Sequence, residues 1–288
     1  LDSKKIDFFD FKDQVIFEEK EITKADGLPY TVYTPFKNKW LEKYKSMAPV
    51  LEYDATDVFS NFHKCDFVFP SLEQIGFEKS PIKVKPHNLK FIANYQDIRD
   101  FPALDQTSYL SPHLRFGTVS IRKLVNWAFH KNDVFLSELI WREFFMQILF
   151  SFPKVVTQNF KTAYDGIKWR NNEADFQRWC SGTTGYPMVD AGMRQLNETG
   201  YMHNRVRMVA ASFLCKHLLI QWQWGEAYFA QKLLDYELSA NVGNWQWAAG
   251  TGCDAAPYFR VFNPQIQQIK FDEKGIYIRK WISEFDLG

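Results

Sequence analysis

The sequence predicts a mainly α-helical protein with a small α/β portion at its N-terminus. Helical periodicity dominates from Asn88 onward, whereas alternating, β-branched or aromatic runs are confined to the first 45 residues. Apolar residues make up 46% of the 288-residue chain and include 27 Phe, enough for a core built around rings.

Gln14 to Ile22 (QVIFEEKEI) predicts a strand with a polar tail. Gly27-Leu28-Pro29 predicts a turn, Tyr30 to Phe36 a short β-rich run, and Lys37 to Lys45 a helix. Across 46–85, Pro49, Pro70 and Pro81 with scattered charges break any period, so this stretch reads as a linker on the surface. The segment NLKFIANYQDIRDFP, holding Tyr95, reads as a helix stopped by Pro102. Ser111-Pro112 predicts a helix start, with Ser as N-cap and Pro at the first helical position. Thr107 and Ser108 precede it with hydroxyls and amides that suit either a phosphate or an ordinary cap.

Glu138 to Phe145 is strongly helical, and Glu138, Trp141, Arg142 and Phe145 share one face. A carboxylate, an indole and a guanidinium make a poor core stripe. Taken alone they read as a solvated face with a Glu138–Arg142 salt bridge. Asp175 to Cys180 and Gly185 to Arg194 read as a turn entering a helix, and Tyr201 to Trp222 as one long helix. On that helix Asn204, Arg207, Met208 and Ala211 share a face. The run from Leu238 to Pro264 has a composition that suits neither helix nor strand: Trp245 and Trp247 are followed by Ala248 to Cys253, all small. Small residues let a backbone or a flat ligand approach, and neighbouring rings can line a pocket for a planar molecule. A tightly packed core crossing is the plainer alternative.

Net charge is +1 and the pI is about 7.8, so any nucleic-acid contact has to come from a local patch. Cys65, Cys180, Cys215 and Cys253 lie far apart without a C-x-x-C pair. That predicts no metal site and four buried free thiols in a reducing compartment. No apolar run approaches the roughly 18 residues that span a bilayer; the richest, Val209 to Ile220, is broken by Lys216 and His217. With no secretory signal, the expectation is a cytoplasmic monomer without a membrane partner. The opening Leu1-Asp2-Ser3 reads as a fragment boundary. No internal repeat or low-complexity segment is present.

These motifs, in this order, closely resemble the flavin-binding domain of the DNA photolyase and cryptochrome family, and within it the class I cyclobutane pyrimidine dimer photolyases. The resemblance covers nearly the whole chain. It implies that 1–45 is the C-terminal remnant of the antenna-type α/β domain, 46–85 an interdomain linker, and 86–288 a helical FAD-binding catalytic domain with its last helices cut off. FAD is the implied cofactor. The antenna chromophore stays unassigned, because most of its domain lies outside the chain. The implied partner is DNA containing pyrimidine dimers, and the implied activity is their light-dependent repair by electron transfer from reduced FAD.

Roles carry over residue by residue. Tyr95 and the loop Thr107, Ser108, Tyr109, Leu110 and Ser111 match the cofactor-binding positions around the FAD diphosphate, although Tyr109 replaces an arginine common in bacterial repair enzymes. Arg142, Asn204, Arg207, Asp235, Glu237 and Asn241 complete the cofactor set, with Arg207 and Asp235 as an ion pair near the flavin ring and Asn241 beside its N5. The resemblance implies that Glu138 bonds the damaged bases, that Trp141 and Trp247 stack on them, and that Asn204, Arg205 and Met208 complete the substrate contacts. His203-Asn204 resembles the cyclobutane-dimer enzymes, whereas six-four enzymes carry a second histidine there. Trp245, Trp222 and Trp169 match the family's electron relay, and Arg99, Arg142, Arg205 and Arg260 its phosphate-contacting arginines. Without that match, ten tryptophans read as core filling. Two rival readings stay open: a cryptochrome-type blue-light photoreceptor, and a silent DNA-binding or structural fragment. Glu138, Trp141, Asn204, Met208 and Trp247 are of the repair type.

Overall fold

Helix α1 (Tyr33–Ser46) buries Tyr33, Phe36, Trp40 and Tyr44, a spacing that only a helix lays on one face. It begins inside the run expected to be β-rich. Pro35 falls in the first turn, where its missing N–H leaves no helical bond unmade. The computed structural model describes residues 7–9, 11–47, 56–255, 257 and 260–285. Upstream of α1, Gln14 to Ile22 forms bends and turns rather than the expected strand. Ile16, Phe17 and Ile22 are buried, but no neighbouring strand pairs with them. Instead the amides of Ile16 and Phe17 donate to the carboxylate of Glu143, at 2.7 and 3.1 Å. Among the described residues the β structure is a single bridge, Thr23 to Pro29, around the expected turn at Gly27, where φ is +79°.

The described part of 46–85 is almost entirely exposed, with short 3₁₀ turns at Thr56–Asn61 and Glu73–Ile75. Cys65 lies on it and is exposed, contrary to the expectation of four buried thiols; Cys180 and Cys215 are buried, Cys253 is half-buried, and all four are free. Tyr95 opens α2 (Tyr95–Ile98), a single turn. Helix α3 (Leu110–Arg115) begins two residues earlier than expected. Its cap is Tyr109 in the left-handed region at φ +52°, so Ser111 is the second helical residue and caps nothing.

Helices α4 (Ile121–Phe129) and α5 (Asp133–Ser151) are capped by Ser120 and Asn132, and with α1 they enclose one apolar cluster. A second cluster is built by α6 (Glu173–Ser181), α7 (Pro187–Thr199), α8 (Asn204–Lys216), α9 (Trp222–Lys232), α10 (Leu238–Ala249), α11 (Pro264–Phe271) and α12 (Ile276–Trp281). The expected long helix from 201 to 222 is therefore shorter: α8 ends at Lys216, and α9 starts only at Trp222. After Lys216 the amides of Leu218 and Ile220 turn back to the carbonyls of Phe213 and Leu214, and Leu219 adopts φ +54°. Ile220 is still buried, from a loop, so the apolar period ran on past the helix.

Both tryptophans of the unusual run lie on a regular helix, α10. Glu237 caps it by accepting from the amides of Ser239 and Ala240, and Gly250 stops it at φ +89°. Helix α10 packs against α5, α8 and α9. Its approach to α5 depends on Gly243, where a Cβ would lie 2.2 Å from the Phe145 ring. Gly243→Ala is therefore expected to lower stability by about 1–3 kcal/mol in urea unfolding, despite alanine's higher helix propensity. A more stable variant would show that the contact yields freely.

Candidate functional site

Helices α8 and α10, the end of α9 and the loop to α10 surround a partly open cavity of about 100 Å³. The predicted face of α8 lines it through Asn204, Arg207, Met208 and Ala211. Helix α10 contributes Asn241, Trp245 and Trp247, and the loop contributes Asp235 and Glu237. Small side chains at Ala211, Ala240 and Ala248 leave it open to a flat molecule.

Its polar groups are held by the fold. Arg207 donates to Asp235 Oδ2 at 2.9 Å and to the Met202 carbonyl at 2.8 Å. Asp235 Oδ1 is buried and has no partner among the described residues. Asn241 donates to the Glu226 carboxylate at 2.9 Å and carbonyl at 3.2 Å, which fixes its amide. Glu237 spends its carboxylate on the α10 cap. Asn204 points its amide at Met208 Sδ, 3.9 Å away. Burial lowers the pKa of His203 to about 4, so it caps α8 as a neutral ring that accepts from the Arg205 amide.

The three tryptophans expected to form a relay share the larger apolar cluster. Trp245 lines the cavity, and a Cβ on Gly225 would lie 2.1 Å from its ring. Trp222 is fully buried one turn before Gly225 on α9 and donates to Asn159 Oδ1 at 2.9 Å. Trp169 is half-buried against the same cluster.

The α5 residues do not line the cavity. Glu138 pairs with Arg99 at 2.6 Å, not with Arg142 as the helix spacing suggested. Arg142 instead donates to the Gln14 carbonyl at 2.7 Å, and burial lowers its pKa. Trp141 stacks on Tyr33 with ring centroids 3.6 Å apart. Tyr95 lies beside Phe135 and under the Arg99 guanidinium, where burial pushes its pKa up to about 12. Arg205 donates to Asp100 at 2.7 Å and lies over the Phe271 ring. Three of the four predicted phosphate contacts are thus tied to protein partners, and Arg260 is exposed. Thr107 to Ser111 also stands outside the cavity lining; Tyr109 there donates to Asp105 and accepts from Lys85 at 2.7 Å. Sequence reading missed Tyr33, Asp100 and Glu226, since each meets its partner from a distant part of the chain.

Residues 135–287 match the family described as the FAD binding domain of DNA photolyase. The chain belongs to that family. FAD is the family's cofactor, and the cavity fits its flat ring: small residues on two helices, an oriented amide, an Arg–Asp pair, and a buried carboxylate oxygen still lacking a donor. The chain is 38% identical to the deoxyribodipyrimidine photo-lyase of Alkalihalophilus pseudofirmus, over 99% of this chain and 64% of that protein. It is 40% identical to that of Escherichia coli, over 95% of this chain and 62% of that protein. It therefore spans a little under two thirds of these relatives. Among solved structures, a bacterial class III photolyase from Agrobacterium tumefaciens is similar with a TM-score of 0.75 and 35% identity, over 95% of this chain and 62% of that one. A Synechocystis cryptochrome follows the same fold, with a TM-score of 0.72 and 28% identity over 94% of this chain and 60% of that one. Among the described residues no helix is long and apolar enough to cross a membrane, and no His, Cys, Asp and Glu cluster could hold a metal.

Proposed function

We propose that this chain repairs cyclobutane pyrimidine dimers in DNA, using light and an electron supplied by FAD. The observation that carries the reading is the convergence on one cavity of Arg207–Asp235, Asn241, Trp245, Met208 and Trp247. The cofactor supplies the electron transfer; the protein supplies position and electrostatics. Arg207 and Asp235 hold the polar edge of the ring system. Asn241, neutral and fixed by Glu226, offers a carbonyl oxygen without adding a charge. Thr107, Ser108, Tyr109, Leu110 and Ser111 would hold the cofactor's diphosphate through hydroxyls and backbone amides. Trp245, Trp222 and Trp169 deliver electrons from the surface.

The lesion leaves the base stack at a cost of a few kcal/mol, least for a damaged pair. Trp247 and Trp141 offer it flat rings, Met208 an adaptable apolar contact, and Asn204 and Glu138 polar ones. Arg260, which is exposed, contacts phosphate; Arg99, Arg142 and Arg205 would have to exchange their protein partners to do so. The protein works as a monomer in the reducing cytoplasm, a setting that its free thiols suit.

Glu138→Ala tests the repair reading. Electron transfer makes the dimer's carbonyl oxygens better acceptors, so a donor that Glu138 holds in place, Arg99, binds the reduced dimer more strongly than the neutral one. Such differential binding raises yield more than affinity. A hydrogen bond to a charged group contributes about 1.5–3 kcal/mol. The expected result is a several-fold drop in splitting yield with a smaller loss of dimer affinity. Unchanged yield would remove Glu138 from the chemistry.

A further inference from the structure

We propose that Tyr33 is a positioning residue for Trp141, so that the segment preceding the helical core sets how well damaged bases are held. This rests on the repair reading above and deepens it. The two rings are nearly parallel, at 8°, with centroids 3.6 Å apart, closer than any other ring pair among the described residues. Offset or parallel contact of this kind fixes an indole in one orientation. Phe144 meets the same indole edge-on at 5.5 Å and Phe145 meets it at a tilt at 5.4 Å. Trp141 nonetheless remains half-buried, so part of it is left for a ligand.

Tyr33 is itself held at both ends. Its hydroxyl donates to the Ser137 carbonyl at 2.7 Å and lies 2.6 Å from the Ser137 hydroxyl, which also accepts from Lys37 at 3.2 Å. Its amide donates to Asp254 Oδ2 at 3.0 Å. Ser137 precedes Glu138 and stands one turn before Trp141 on α5. Asp254 lies in the loop that follows α10 and Trp247. One residue of α1 therefore ties the helix bearing Glu138 and Trp141 to the loop beyond Trp247. Burial raises the pKa of the phenol far above its ordinary value, so it stays a neutral donor. A platform fixed before binding spares the ordering cost that a mobile indole would incur on meeting the lesion. Tyr33 is buried and acts only through Trp141.

The test is affinity of the FAD-loaded protein for an oligonucleotide with one cyclobutane dimer, relative to the same strand undamaged. Tyr33→Leu is expected to reduce that preference by roughly three- to tenfold, the range set by one stacked pair. FAD content and undamaged-DNA affinity should hold. Tyr33→Phe, which keeps the ring, should restore the preference. In a Trp141→Leu background, Tyr33→Leu should add nothing, which a merely structural residue would not satisfy. If Tyr33→Leu does not fold, Asp254→Ala frees only the amide anchor and should give a smaller loss of the same sign. An unchanged preference, or a loss that adds fully to that of Trp141→Leu, would overturn the proposal. A wild-type protein with no preference for the dimer would instead overturn the repair reading itself.

Discussion

Trp245→Phe is expected to bring light-driven reduction of bound, oxidised FAD to an undetectable rate. Repair by protein whose FAD has been reduced beforehand should stay close to wild type. Trp245 lines the cavity and is buried, so of the three tryptophans proposed as a relay it is the one that a bound ring would meet first. Phenylalanine keeps most of its volume against Gly225 and Phe229 but is much harder to oxidise than indole. The two readouts separate a relay from packing. A packing defect would lower FAD content and both activities together, whereas a relay defect spares repair by the pre-reduced protein. Trp179 also touches Trp245, at 6.0 Å and 69°. Persistent photoreduction in the variant would mean that electrons bypass Trp245 or that it is only core.

Glu143→Ala is expected to be the most destabilising single change in the N-terminal half. Its carboxylate is 3% exposed and accepts from the amides of Ile16 and Phe17 and, at 2.8 Å, from Trp40 Nε1. Alanine would leave three buried donors without an acceptor and detach residues 16–17 and α1 from α5. A loss of about 3–5 kcal/mol is expected in urea unfolding. The group also gives the wild type a pH dependence. Burial outweighs the donors and the nearby Arg142, pushing the Glu143 pKa up to about 7 from an ordinary 4.5. The native state then binds this proton more tightly than the unfolded chain does. The stability it contributes is full below about pH 4.5 and is lost as pH rises through about 7, by on the order of 3 kcal/mol. In Glu143→Ala that slope should vanish. A wild type whose stability rises steadily across this window would show that the donors win over burial.

What the sequence made legible was local. The α8 face of Asn204, Arg207, Met208 and Ala211 follows from helical spacing, and the structure places all four on one cavity. The Arg207–Asp235 pair came from the resemblance, because 28 residues separate the partners. Glu138 shows the limit of spacing: Arg142 at i+4 offered a ready partner, yet Arg99 won from another element, 39 residues away. Tyr33 on Trp141, 108 residues apart, left no trace in either local pattern. The strand expected at Gln14 to Ile22 failed because Ile16 and Phe17 satisfy their amides with Glu143, a side chain that no strand pattern encodes. In α10 the composition misled, although the signals that set the helix were present. Glu237 and Gly250 mark its ends, and Gly243 is a packing contact with Phe145 rather than a break.

The most direct measurement is dimer content in a defined oligonucleotide, followed in blue light and in darkness with the purified chain reconstituted with FAD and kept reduced. The account predicts that the protein takes up FAD, that dimers disappear in light with intact pyrimidines recovered, and that none are lost in the dark. A protein that binds FAD and leaves the dimers unaltered in light, or one that folds and takes up no FAD, would contradict it.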